Sequence, residues 1–240
     1  MPAGSVRGST ADTLTAAGVT AALLTWNNPL GATGWHARHY LPANLAATAT
    51  LLGIARARGV GAAELGLGRE ELAAGARTGG AVAGAVAGGL VVALAMPVTR
   101  PRLRDARVAA LTGAQVARHA ALRIPLGTAL WEEVAFRGVL PALWRRVLPP
   151  APAATVSHLA FGLWHVRPSL DAARLNGSRA PGVSVAASVL ATAAVSVGLS
   201  WLCRRSGSLL APVLVHAGAN AAGTLAAAAA ERLAADGVAR

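Results

Sequence analysis

Long apolar segments, separated by arginine, proline and polar clusters, are the feature of this chain that most restricts its fold. Each segment is near or somewhat below the ~20 residues that a helix needs to cross a bilayer. The apolar residues fill whole segments and do not form one-sided stripes, which is typical of helices surrounded by lipid and by one another. We therefore predict an all-α fold, a polytopic membrane helical bundle of about seven transmembrane helices. The seven segments are residues 14–26, 41–54, 78–98, 122–143, 151–166, 183–203 and 209–230.

Composition and charge support a membrane protein. Charged residues make up 13% of the chain and hydrophobic residues 54%, whereas about a quarter of the residues in a soluble domain are charged. All 22 basic residues are arginines, and the net charge of +12 is spread over the connecting segments. This distribution favours phospholipid headgroups over a nucleic-acid groove. We therefore expect the lipid bilayer as a partner and no nucleic acid. Because arginine-only basic content is typical of GC-rich coding sequences, we predict a bacterial plasma membrane.

Two local patterns predict how helices are built and packed. Pro42 and Asn44 interrupt the second apolar segment, which predicts a tilted or re-entrant element. Gly80, Gly84 and Gly88 stand four residues apart and leave one helix face without side chains. We predict that a neighbouring helix approaches closely on that face.

The stretch WEEVAFRGVL, residues 131–140, places charge inside the fourth apolar segment. Ionisable groups at membrane depth are costly unless paired or solvated, so they indicate a functional site. Glu133 and Arg137 stand four apart and can neutralise each other, which is a structural explanation for these two. Glu132 lies about 100° around the helix and needs a proton, a water molecule or another helix to satisfy it. We predict a functional role for Glu132.

Six histidines are candidate partners for Glu132. We expect three of them at the membrane interface, because they lie in polar or arginine-rich stretches: His36, His39 and His119. The other three lie within or beside apolar segments: His158, His165 and His216. A buried histidine is more often a hydrogen-bonded core residue than a catalyst, so position alone does not select one of these three.

Two of the apolar-segment histidines have a partner one helical turn away. Phe161 and His165 stand four apart in SHLAFGLWH, whereas His158 lies on another face. His216 and Asn220 stand four apart in HAGANAAG, where small residues leave room around them. Two such pairs on separate helices, with the glutamates on a third, favour a shared site.

These residue types suit the hydrolysis of a peptide bond. A carboxylate desolvated in a bundle can take a proton from water and deliver it to an amine leaving group, while an imidazole orients the water. A second histidine and an asparagine amide can stabilise the oxyanion that forms at the carbonyl. A divalent metal such as zinc stays open as an alternative, although the chain has no HExxH or other close-spaced zinc pattern. No GxSxG stretch supports a serine protease.

Three stretches resemble, in order and spacing, the EExxxR, FxxxH and HxxxN motifs of the CAAX-prenyl endoprotease and bacteriocin-processing (CPBP) family of intramembrane proteases: EEVAFRG, SHLAFGLWH and GSLLAPVLVHAGAN. The resemblance covers about residues 120–225. It implies four catalytic positions, Glu132, His165, His216 and Asn220, and three supporting positions, Glu133, Arg137 and Phe161. Of the catalytic positions, the glutamate and first histidine would activate water, and the second histidine and asparagine would stabilise the oxyanion.

The resemblance implies an intramembrane endopeptidase, a hydrolase that cleaves a peptide bond in a membrane-associated protein or peptide. A water activated by glutamate and histidine requires no cofactor, although members of the family are often called metalloproteases. A noncatalytic membrane scaffold, or a bacteriocin-immunity protein that uses the same polar cavity for binding, is the alternative function.

The motifs divide the chain into three parts. Residues 1–118 hold N-terminal transmembrane helices and an arginine-rich interfacial segment, residues 119–230 a CPBP-like catalytic helical core, and residues 231–240 a short C-terminal tail. Within the core, residues 167–181 are polar and contain Asn, Gly and Pro, so they predict a loop.

Overall fold

The computed structural model describes residues 8–238. Over this range the chain is helical and contains no strand, which confirms the predicted all-α class. Residues 239–240, the end of the predicted C-terminal tail, lie outside the described range, as do residues 1–7.

Among the described residues, the N-terminal part has four α-helices: α1 (Thr10–Thr25), α2 (Gly34–Arg38), α3 (Tyr40–Ala57) and α4 (Arg69–Ala95). A π-helical turn, Trp26–Leu30, directly follows α1. Ser9 caps α1, because its hydroxyl accepts a hydrogen bond from the Asp12 backbone N–H and the Asp12 carboxylate accepts from the Ser9 backbone N–H. Pro42 and Asn44 do not interrupt the helix, and the tilted or re-entrant element predicted from them stays a prediction. Pro42 lies in the first turn of α3, where the helix loses no backbone hydrogen bond, so α3 is continuous.

The two adjacent glutamates lie on a long helical stretch, residues 113–144, hereafter the glutamate helix. Its pitch changes, because wide π-helical turns occupy His119–Ala129 and Val134–Val139. Pro125 lies inside the first of these and cannot donate a backbone hydrogen bond. The α-helical parts are α6 (Gly113–Arg118), α7 (Leu130–Glu133) and α8 (Leu140–Trp144), and the short α5 (Ala106–Ala109) precedes them.

Four helices complete the chain: α9 (Pro150–Trp164), α10 (Val166–Leu175), α11 (Pro181–Ser206) and α12 (Leu210–Val238). The loop predicted over residues 167–181 is wrong for its first half, which forms α10. Arg167 and Asp171 make an i, i+4 ion pair there at 2.8 Å, so this polar composition builds a surface helix.

Within residues 8–238, three helices are long and apolar enough to cross a membrane: α4, α11 and residues Leu210–Asp236 of α12. The rest of the described structure buries little of their apolar windows, 6%, 11% and 22%, as expected for helices that face lipid. The predicted number of seven transmembrane helices is not confirmed. Two of the other predicted segments form helices that are too short for a full span, since α1 has 16 residues and α9 has 15.

Helices α4 and α12 pack along each other through glycines of α4. A Cβ on Gly79 would lie 2.6 Å from the Ala211 carbonyl oxygen, and Gly75 is similarly close to Ser208. The predicted contact through another glycine face is wrong, since a Cβ at Gly80, Gly84 or Gly88 would meet no atom within 4 Å. The four-residue spacing of glycines identifies a face without side chains, but α4 has two such faces next to each other. Helix α12 packs on the face of Gly75 and Gly79.

Aromatic residues link the glutamate helix to α9 in the core. Trp131 and Phe136 of the glutamate helix and Phe161 and Trp164 of α9 are all 2% exposed or less. Ring centroids are 5.1 Å apart for Phe136 and Phe161, 5.3 Å for Phe136 and Trp164, and 6.0 Å for Trp131 and Trp164. These contacts set the separation of the two helices and so of the polar residues they carry.

Candidate active site

Three predicted site residues come together from three helices. Glu132 lies on α7, His165 directly follows α9, and His216 lies in the second turn of α12. The Nε2 atoms of His165 and His216 are each 3.9 Å from the same carboxylate oxygen, Oε2 of Glu132. All three side chains are mostly buried, with 7%, 21% and 11% exposure for the glutamate and the two histidines in turn.

The separations around Glu132 suit a shared water molecule. At 3.9 Å an oxygen and a nitrogen are too far apart for a direct hydrogen bond, but a water at about 2.8 Å from each can bridge them. Oε2 of Glu132 is buried and has no hydrogen-bond partner among the described residues. A buried carboxylate oxygen without a partner is costly, so the site favours a bound water at this point.

His165 is held in one orientation and one tautomer. Its Nδ1 lies 2.7 Å from the carbonyl oxygen of Phe161, and because a carbonyl only accepts, Nδ1 carries a proton. In the neutral ring Nε2 then has a free lone pair that faces Glu132. Asn27 donates to the carbonyl of Trp164 at 2.9 Å, and Asn28 donates to the preceding carbonyl at 3.1 Å. These asparagines satisfy the end of α9 and support the residue that follows it.

Glu133 connects the second histidine to a buried arginine. Its Oε1 accepts a hydrogen bond from Nδ1 of His216 at 2.7 Å, and its Oε2 lies 3.2 Å from Nε of Arg137. The side chains of Glu133 and Arg137 are fully buried, where charges persist only when they are paired. Spacing predicted the pair with Arg137. It did not predict the bond to His216, which turns Nε2 of that ring toward Glu132.

Phe161 packs on the charged and polar groups of the site. The guanidinium carbon of Arg137 lies 4.0 Å from the centre of the Phe161 ring, a cation–π contact. The same ring is 4.7 Å from the ring of His165 and 6.5 Å from that of His216, both edge-on. The supporting role of Phe161 stays a prediction.

Asn220 is placed less closely than the other candidates. It lies one turn beyond His216 on α12 and is exposed. Its backbone carbonyl accepts a hydrogen bond from Thr224 at 2.8 Å, while its side-chain amide makes no hydrogen bond within the described range. Its role as an oxyanion donor stays a prediction.

Among the described residues, no other histidine nitrogen lies within 4.0 Å of the Glu132 carboxylate. His158 hydrogen-bonds to Ser196 of α11 at 2.9 Å, consistent with its different helix face. His36 is 3% exposed, so it is buried within the protein, and its predicted position at the membrane interface stays a prediction. Its ring packs edge-on against Trp26 and Tyr40, because α2 turns it inward.

Glutamate and histidine side chains also bind zinc. The distances between their ligating atoms therefore test whether a zinc ion fits between them. Two ligands of a tetrahedral zinc at about 2.1 Å stand about 3.4 Å apart. The Oε2 to Nε2 distances here are 3.9 Å. In the part of the chain that the structure describes, no group of three or more His, Cys, Asp or Glu side chains is arranged to hold a metal ion.

Comparison with known protein families adds one match. A family model covers residues 115–222, somewhat less than half of the chain, and its description is type II CAAX prenyl endopeptidase Rce1-like. This segment is Rce1-like. The resemblance carried by the three motifs is therefore confirmed. No curated protein and no solved structure matches the chain.

The Rce1-like segment contains all seven predicted site residues, from Glu132 to Asn220. Because the Rce1-like family is one of proteases, the match supports a peptidase, a class of hydrolase. Together with the three helices that can cross a membrane, it identifies an integral membrane protein with a protease-type core.

Proposed function

We propose that this protein is an intramembrane endopeptidase that hydrolyses a peptide bond in a membrane-associated protein or peptide. One observation carries the proposal: Oε2 of Glu132 is equidistant, at 3.9 Å, from Nε2 of His165 and of His216. A mostly buried carboxylate with two imidazoles around it is a site for activating one water molecule.

Glu132 is the general base in this proposal. As the water oxygen attacks the scissile carbonyl carbon, one of its protons passes to the Glu132 carboxylate. Nε2 of His165 accepts a hydrogen bond from the same water and orients it. The proton then moves from Glu132 to the amide nitrogen as the C–N bond breaks, which releases an amine and restores the carboxylate.

His216 and Asn220 stabilise the oxyanion that forms on the attacked carbonyl. Glu133 accepts from Nδ1 of His216 at 2.7 Å, which turns Nε2 toward the reacting centre. When the ring is protonated, Nε2–H is a hydrogen-bond donor at that point. Asn220 adds its amide from the next turn of the same helix. Donors that are already in place before the reaction stabilise the developing charge most effectively.

A metal-free reaction is our proposal for the cofactor. Support comes from the 3.9 Å separations, which a bridging water spans with ordinary hydrogen bonds and which exceed the ~3.4 Å expected between tetrahedral zinc ligands.

A groove between α1 and α3 supports a membrane-associated substrate. Its volume is about 880 Å³, its lining is largely apolar, and it reaches Trp131, the residue next to Glu132. An apolar groove of this size favours a hydrocarbon chain or an apolar segment over a polar peptide. We propose that the membrane-embedded part of the substrate lies here, in a bacterial plasma membrane.

The test is cleavage by the purified, detergent-solubilised protein. The probes are a prenylated peptide that ends in a CAAX sequence and a membrane-protein extract analysed by mass spectrometry. Glu132→Gln and His165→Ala should each lower the rate by about 10²–10⁴-fold, while His158→Ala, outside the site, should retain it. Full activity in Glu132→Gln would refute the proposal. Absence of cleavage by the unmodified protein on both probes would favour a noncatalytic binding protein.

A further inference from the structure

Asn44 is a buried amide in the apolar helix α3, with 1% exposure. Its Oδ1 accepts a hydrogen bond from Nε1 of Trp26 at 2.8 Å, and its Nδ2 donates to the carbonyl oxygen of Gly127 at 2.7 Å. A buried amide that lacks partners costs several kcal/mol. The bond to Gly127 therefore ties α3 to the glutamate helix, and the bond from Trp26 ties α3 to the end of α1.

Tyr40, one turn before Asn44 on α3, makes a second contact with the glutamate helix. Its hydroxyl lies 2.8 Å from the hydroxyl of Thr128. The Tyr40 ring also fills the space beside Gly127, where an added Cβ would lie 3.0 Å from a ring carbon. Helix α3 thus contacts two consecutive residues of the glutamate helix. It bonds to the backbone carbonyl of Gly127 and to the side-chain hydroxyl of Thr128.

These contacts lie one helical turn before the catalytic carboxylate. Gly127 and Thr128 precede Glu132 by five and four residues, at the end of the π-helical turns His119–Ala129. Such wide turns are uncommon and occur often at functional sites. Because His165 and His216 lie on other helices, a shift of residues 127–128 changes the position of the Glu132 carboxylate relative to both imidazoles.

We propose that Asn44 and Tyr40 are positioning residues, which hold the carboxylate of Glu132 at its distance from the two histidines. This inference rests on the proposed function. Both residues lie outside the matched segment, residues 115–222, so the N-terminal helices complete an active site whose reacting groups all come from the Rce1-like segment.

The experiment compares variants of the full-length protein in detergent, by cleavage kinetics and by hydrogen–deuterium exchange. Asn44→Leu removes the bonds to Gly127 and Trp26 at similar side-chain volume. Tyr40→Phe, Thr128→Val and the double variant remove the hydroxyl pair. Thr155→Val is the control, since this exposed α9 hydroxyl bonds only to the Ala151 carbonyl of its own helix among the described residues and lies outside the groove between α1 and α3.

Asn44→Leu should lower kcat by about 10- to 100-fold with KM within about twofold, because small displacements of a catalytic group have effects of this size. The Tyr40→Phe/Thr128→Val double variant should lose no more activity than either single variant, since the two hydroxyls share one bond. Amides of residues 127–133 should exchange faster in Asn44→Leu. Thr155→Val should behave as the unmodified protein.

Unchanged kcat and unchanged exchange over residues 127–133 would overturn the inference. So would a loss of activity accompanied by faster exchange throughout the protein and a lower Tm, which is the result of a general structural role. If the unmodified protein cleaves neither probe, the proposed function fails. Hydrogen–deuterium exchange alone then decides whether Asn44 holds the glutamate helix in place. Faster exchange confined to residues 127–133 then supports the positioning contact, and unchanged exchange overturns it.

Discussion

Replacing Glu133 by glutamine should destabilise the protein, because it leaves the charge of Arg137 unbalanced in the core. Both side chains are fully buried, and Oε2 of Glu133 lies 3.2 Å from Nε of Arg137. Removal of one member of a buried ion pair costs about 3–5 kcal/mol. At roughly 2–4 °C per kcal/mol for a chain of this size, Tm should fall by about 6–20 °C.

A second variant separates stability from catalysis. Glu133→Gln/Arg137→Met removes both charges and keeps similar volumes, so it should recover most of the lost stability. Cleavage should remain low, because His216 no longer has a carboxylate to accept its Nδ1–H. Asp171→Asn is the control at an exposed ion pair, where we expect a change below about 1 kcal/mol.

Thermal unfolding in detergent, followed by tryptophan fluorescence, measures the stability of each variant, and the peptide assay measures its activity. A Glu133→Gln protein that unfolds at the unmodified temperature would refute the reasoning about the buried pair. The reasoning would also be refuted if the Glu133→Gln/Arg137→Met double variant were no more stable than Glu133→Gln. Full activity in the double variant would show that the bond between Glu133 and His216 does not serve catalysis.

Three further predictions concern packing, the cofactor and the oxyanion. Gly79→Leu should lower Tm, because its side chain would meet the Ala211 backbone, whereas Gly84→Leu, which faces open space, should leave Tm unchanged; the same unfolding assay compares them. A strong chelator should leave the cleavage rate unchanged, and inhibition that added zinc reverses would contradict the metal-free reaction. Asn220→Ala should lower kcat by about 10²–10³-fold, the effect of losing one oxyanion donor, and an unchanged kcat would remove this residue from the mechanism.

The glutamate motif could be predicted from the sequence because charge in an apolar segment is expensive and must be explained. Spacing alone then related Glu133 to Arg137, and the structure places them at 3.2 Å. Both statements depend on local helix geometry, which is the same wherever the helix lies in the fold.

The contacts of Asn44 were not predicted from the sequence, although burying a polar group is costly here as well. Asn44 is a polar residue inside an apolar segment, as Glu132 is, and its interpretation as an interruption of that segment left its hydrogen-bond partners unpredicted. Its partners, Trp26 and the Gly127 carbonyl, lie 18 and 83 residues away along the chain. No local pattern connects residues at that separation, although a buried amide requires a partner somewhere.

The sequence by itself determined the all-helical class, the membrane setting and the three motifs of the site, because hydropathy and helical spacing act within each segment. Tertiary structure alone decided which glycine face of α4 meets α12, that His36 is buried, and that His216 bonds to Glu133. These outcomes depend on how helices rotate and approach one another, and many rotations satisfy the same apolar segments. The position of Glu132 between two histidines follows from the packing of three helices.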